Sequence, residues 1–318
     1  MTILLVIIGH CYGDDLIGSF IHSAIYSFHM PLFFILSAMT FKFSVSDVDF
    51  KSRTIKSAKH LLIPFLITFV IYMFWPKDVN MLFNINYWYD MLYTFIYATA
   101  GGEVNILNHT VYSIIAWFLV ALFIVRTIFD YLHLKIKNDS ILFIVSCIWC
   151  CIGILIGKIQ WLPFSMDISL AVLPFFYYGY KKSIDVMDRV FMKMLIWGII
   201  WLLSLCVIPN LSLTARSYPL FPICYLTAIA GTMFLVEFSV ICCKTKVSKP
   251  IIFLGRNTLY LLCIHTLDSR IYGLWNVEGH YYYTCLKRIL CNLLIFFVVI
   301  IIINIQKKLK PFIYSCFR

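Results

Sequence analysis

Three histidines of this chain stand in apolar runs where a lipid-buried segment ordinarily carries no ionisable group. His10 ends the run ILLVIIGH, His29 opens the run HMPLFFILSAMTF, and His265 lies in FLGRNTLYLLCIHT. Such side chains are costly in hydrocarbon, so they face a cavity or a partner and mark a functional site. Histidine titrates nearest to neutrality, which suits it to take a proton from a hydroxyl and pass it on. His10 and His29 are therefore the candidate catalytic pair. Arg256 and Asn257, at the head of the run that carries His265, add a cation and an amide to the polar inventory.

The elements that hold these residues follow from composition. Of 318 residues, 62% are hydrophobic and only 13% charged, with a mean hydropathy of +0.90. A soluble domain would carry about a quarter charged residues. The apolar excess falls in blocks of roughly 20 residues, the length that a ~30 Å hydrocarbon core demands. The sequence predicts an all-α integral membrane protein of about ten transmembrane helices in one domain, 1–318. The spans are placed near 1–11, 27–43, 60–75, 112–130, 140–157, 163–180, 190–208, 219–241, 250–271 and 288–306. Between the third and fourth, the stretch 87–99 reads as an amphipathic helix at the interface, where Trp and Tyr are favoured. Pro31, Pro64, Pro163 and Pro174 are expected to kink or cap spans.

Orientation follows from the basic residues of the short loops. With both termini cytoplasmic, nineteen Lys and Arg fall on the inner side. Six fall outside: Lys77, Lys158, Arg216, Arg270, Lys287 and Arg288. The net charge of +11 is thus a matter of topology and gives no reason to expect a nucleic-acid partner. This arrangement brings His10, His29 and His265 toward the extracytoplasmic half, because His265 lies about 15 Å along its helix from Gly255. Arg256 stays near the cytoplasmic entrance, with Glu237 of the preceding span as its expected ion-pair partner.

Several blocks in order resemble the bacterial membrane acyltransferase family 3, which includes O-acetyltransferases of surface polysaccharides similar to the fucose 4-O-acetylase group. They are VIIGHCYG, SFHMPLFFILSAMTF, RTIKSAKHLLIPFLI, WFLVALFIV, LPFFYYGYKK and FLGRNTLYLLCIHT. The resemblance implies transfer of an acetyl or short acyl group from cytosolic acyl-CoA, a co-substrate rather than a bound cofactor. The acceptor it implies is a hydroxyl of an extracytoplasmic, surface or lipid-linked glycan, and the location a bacterial inner membrane. His10 and His29 match the family's histidine positions; Arg256, Asn257 and His265 match the polar positions of the last block. Members often carry a basic residue further ahead of the first histidine than this chain reaches. The nine residues before His10 rise about 14 Å, short of the core, so the first span is expected to be truncated at its N-terminus.

In that chemistry His10 acts as general base. His29, Asn257, Ser37 or backbone N–H groups serve the oxyanion, and Arg256, Arg53 and Lys59 meet the CoA phosphates. Plainer readings stand beside these. Arg53 and Lys59 fit the positive-inside pattern without any ligand, and a histidine at a span end is often only interfacial. His22, His60, His109, His133 and His280 are expected to be solvated. The twelve cysteines sit mostly in apolar segments, as small hydrophobes do, and no paired CxxC supports a zinc site. Two rival classes remain in view: a glycan or lipid transporter, for which the related halves are missing, and a non-catalytic partner of an envelope assembly complex.

Overall fold

The computed structural model describes residues 2–11, 16–76, 78–99, 103–182, 190–246, 248–278 and 280–316. Its elements in chain order are α1 (Thr2–Gly9), α2 (Leu16–Tyr26), α3 (His29–Thr40), α4 (Asp47–Phe74) and α5 (Ile85–Tyr97). A short antiparallel hairpin follows, β1 (Val104–Ile106) paired with β2 (His109–Val111). Next come α6 (Trp117–Lys135), α7 (Asp139–Ile159), α8 (Met166–Ala171), α9 (Leu173–Lys181), α10 (Val190–Val207) and α11 (Ile223–Cys243). The chain ends with α12 (Ser248–Arg256), α13 (Thr258–Leu267), α14 (Tyr272–Trp275) and α15 (Tyr281–Cys316).

The all-α membrane class holds. Among the described residues seven helical stretches are long and apolar enough to cross a membrane. An eighth is the pair formed by α12 and the helical run from Thr258 to Trp275, bent by 70°. The expectation of about ten spans counted two shorter pieces. The first is α1, of only eight residues. The second is 163–180, which breaks into α8 and α9 around Val172, with Pro174 at the start of α9. Met1, Lys77, Arg189, Arg318 and the side chains of Lys307, Lys308 and Lys310 lie outside the described residues.

Local chemistry explains the helix ends. Ser46 caps α4 by accepting from the Asp49 N–H, with Asp47 and Asp49 in the first turn, and Asn138 caps α7 through the Ile141 N–H. These side chains satisfy N–H groups that the helix leaves open and place negative charge at its positive end. The expected interfacial helix is α5, whose Tyr87, Met91, Thr94 and Tyr97 form one buried stripe at helical spacing.

The bundle packs α10 on α11, α7 on α8, α3 on α9 and α4 on α6. Gly153 lets α7 approach α8 closely: a Cβ there would stand 2.6 Å from the Asp167 carbonyl oxygen. Outer faces such as Ile199, Leu203 and Leu294 remain more than half exposed, as lipid contact requires. Two buried charges illustrate the pairing that a low-dielectric interior demands. Arg216 donates to Asp167 (2.8 Å) and to Thr99, and stacks on Trp161 at 3.7 Å. Asp130 accepts from the Ser44 N–H and hydroxyl at 2.7 and 2.6 Å.

Two charges counted as outer-loop residues, Arg216 and Arg288, are in fact buried within the fold. Arg126, counted as an inner-loop residue, sits midway along α6. A basic residue beside an apolar run is counted as a loop whenever its carboxylate partner lies far away in sequence.

Candidate active site

Helix α1 packs on α2, and this places His10 beside Tyr26. Gly9 makes the approach possible, since a Cβ there would lie 2.9 Å from Ile25 Cγ2 and 3.2 Å from Tyr26 Cε2. The Tyr26 hydroxyl meets His10 Nδ1 at 3.1 Å. One turn on, His29 opens α3 with its Nδ1 donating to the Ile25 carbonyl at 3.1 Å. Its ring lies 4.6 Å from that of Tyr26. His22, expected to be solvated, stacks on the other side of Tyr26 at 4.0 Å.

Behind His10 stands His265, with ring centroids 5.1 Å apart. His265 is fully buried. Its Nδ1 lies 2.8 Å from Asp268 Oδ2, one turn away at the point where α13 gives way to a 3₁₀ turn. Asp268 also accepts from Arg288 Nε and Nη2, both at 2.8 Å, and from Asn292 Nδ2 at 2.9 Å. Arg288 reaches further, donating to the His10 carbonyl at 2.6 Å, and its guanidinium lies over Trp275 at 4.2 Å. With three other donors converging on it, Asp268 is a carboxylate, so His265 carries its proton on Nδ1 toward it. Among the described residues His265 Nε2 has no hydrogen-bond partner. A carboxylate that fixes an imidazole tautomer in this way is the standard means of orienting a catalytic histidine.

These groups border a cavity of about 500 Å³. His10, Tyr26 and His29 line it, and Phe33, Trp117 and Phe118 form an aromatic floor. Tyr72, Glu103, Tyr112, Thr214 and Arg270 also line it. Phe118 packs against Phe33 and Phe34 at 5.1 and 5.2 Å. Neither His265 nor Asp268 lines the cavity; both support His10 from behind.

The structure thus brings together His10, His29 and His265. It does not bring the other expected residues to them. Arg256 is exposed at the bend between α12 and α13, and Asn257 turns back to donate to the Phe253 carbonyl. Arg53 bonds Asp49 at 2.7 Å and the Lys42 carbonyl at 3.0 Å, while Lys59 is exposed; both lie on α4. The ion pair expected between Glu237 and Arg256 does not form, because Glu237 is buried on α11 and Arg256 points away from the packed interior. Ser37, expected near the oxyanion, instead accepts from Arg126 Nε at 2.7 Å.

Sequence reasoning missed Tyr26, Asp268, Arg288 and Asn292. The signal was faint but present: an acid three residues after His265, and Arg288 and Asn292 four apart, a spacing that puts them on one helix face.

A family model for the acyltransferase domain matches residues 1–305. The protein is a membrane acyltransferase, and the chain belongs to acyltransferase family 3. No curated protein and no solved structure matches it.

Proposed function

We propose that the protein transfers an acetyl or other short acyl group from acyl-CoA to a hydroxyl of a cell-envelope glycan, with His10 as general base, in a bacterial inner membrane. The observation that carries this reading is the stack Tyr26–His10–His265–Asp268 at the wall of an aromatic-lined cavity. The cavity lining includes Glu103, Thr214 and Arg270, which lie in or beside segments that the charge count assigns to the outside. Aromatic rings there would stack on the apolar faces of a sugar.

A sugar hydroxyl attacks a thioester only as its proton leaves. In the competent tautomer His10 Nδ1–H donates to the Tyr26 oxygen, and Nε2 holds the free lone pair. The acceptor oxygen then bonds to the thioester carbonyl carbon while His10 Nε2 takes the proton. Collapse of the tetrahedral intermediate breaks the C–S bond. The proton on His10 goes to the departing thiolate, giving the ester and free CoA. His29, whose Nδ1–H is engaged with the Ile25 carbonyl, turns the lone pair of its Nε2 to the acceptor hydroxyl, and it serves the developing oxyanion as a donor only in its imidazolium form.

The test is alkali-labile acetate on envelope glycans from three strains of the source cell: a deletion, the deletion carrying this chain, and the deletion carrying His10→Ala. Acetate lost on deletion, restored by the chain and not by the variant, is the expected result. Restoration by His10→Ala would remove His10 from the chemistry, and no change on deletion would overturn the acetyl transfer itself.

A further inference from the structure

The guanidinium groups packed within the bundle are not alike. Arg216 and Arg288 each hold a buried carboxylate, Asp167 and Asp268. Arg126 holds none: among the described residues no carboxylate lies within ion-pair distance of it. Its contacts are the Ser37 hydroxyl at 2.7 Å and the Phe41 ring, 5.6 Å from its Cζ. It is only half-buried, and it stands nine residues from either end of α6, about 13 Å of helix each way. A cation at that depth without a counter-charge is costly, and such residues are retained where a ligand supplies the charge.

Its position relative to the cavity narrows the ligand. Trp117 and Phe118, at the first turn of α6, belong to the cavity, and Arg126 lies about 12 Å further along the same helix. Ser37 stands the same distance along α3 from His29. Arg126 is therefore on the far side of the Phe33–Phe34–Phe118 layer from His10. It points toward the end where Lys135 meets Asp47 and Lys181 meets Asp139, the end that the charge count assigns to the cytoplasm.

We infer that Arg126, oriented by Ser37, anchors the phosphate-bearing end of the acyl donor, so that the extended thioester arm runs past Phe33 and Phe118 to His10. This rests on the transferase reading above, but it assigns the donor site to α3 and α6 and not to Arg53, Lys59 or Arg256. A planar guanidinium suits a phosphate through paired N–H donors, whereas an ammonium meets it as a point charge.

The experiment measures binding of CoA and of pantetheine, which lacks the phosphates, by titration calorimetry. The full chain is held in nanodiscs of zwitterionic lipid and, separately, of anionic lipid. Arg126→Gln is expected to weaken CoA binding by about tenfold or more while leaving pantetheine unchanged. Arg126→Lys, which keeps the charge and loses the fork, should bind CoA with an intermediate affinity and secures the test should the Gln variant fail to fold. CoA affinity unchanged in either folded variant would overturn the proposal, as would equal losses for CoA and pantetheine. An Arg126-dependent effect of anionic lipid without any on CoA would assign the guanidinium to a lipid headgroup and overturn it too. Acyl transfer with Arg126-independent CoA binding sinks this site alone. Arg126-dependent CoA binding without acyl transfer sinks the transferase reading alone.

Discussion

The rings of His10 and His265 lie 5.1 Å apart, yet only His10 faces the cavity. His265 is held from behind by Asp268, itself the acceptor for Arg288 and Asn292. One imidazole lines the cavity and the other stands behind it, so substitutions can separate the two.

His10→Gln keeps a polar side chain of similar reach but removes the basic nitrogen. We expect kcat for acyl transfer to fall about 10²–10⁴-fold, the range for loss of a general base. The variant should retain the wild-type melting profile in detergent. A rate close to wild type would exclude His10 as the base.

Tyr26→Phe keeps the ring between His22 and His29 and deletes only the hydroxyl at His10 Nδ1. Loss of one such bond is worth about 1 kcal/mol, or about fivefold in rate. The loss should appear in kcat, with KM for the donor unchanged. A change in KM alone would place Tyr26 in binding rather than in orienting the base.

Asp268→Asn leaves Arg288 buried without its carboxylate and frees the His265 tautomer. Breaking a buried pair on one side costs about 3–5 kcal/mol of stability, read as a lower unfolding temperature. A purely structural role would stop there. The positioning role also requires that the pH–rate profile of the surviving folded protein shift, with Asp268→Glu restoring part of it. An unshifted profile would confine Asp268 to stability.

Gly9→Ala places a methyl group against Ile25 and the Tyr26 ring. Overpacking of this kind costs about 1–3 kcal/mol, and it should displace the Tyr26 hydroxyl from His10. The expected result is a larger loss in kcat than in Tyr26→Phe, with donor binding intact. Wild-type kcat would show that α1 and α2 slide apart without disturbing the pair.

The histidines were legible because an ionisable group stands out in an apolar run whatever the fold does with it. So was the all-helical class, since blocks of spanning length are a property of composition. Asp268 and Arg288 were not legible. An ion pair twenty residues apart leaves no local pattern, and counting Lys and Arg assigns Arg288 to an outer loop. Arg126 was hidden the same way, because Lys135 and Lys137 a few residues on draw it into an inner loop. The division of 163–180 into α8 and α9 falls at Val172, just ahead of Pro174, a position that periodicity in an all-apolar segment does not mark.

The bond from Arg288 to the His10 carbonyl joins residues 278 positions apart. His10 is therefore synthesised 278 residues ahead of Arg288. During synthesis the early helices enter the lipid with the His10 side chain present but its brace still unmade. The arrangement around His10 is complete only once α15 is in place, and a chain terminated before α15 would lack the bond that holds the His10 carbonyl. Long sequence separation between contacting residues also slows the search for the native arrangement, so maturation of this enzyme should lag its synthesis.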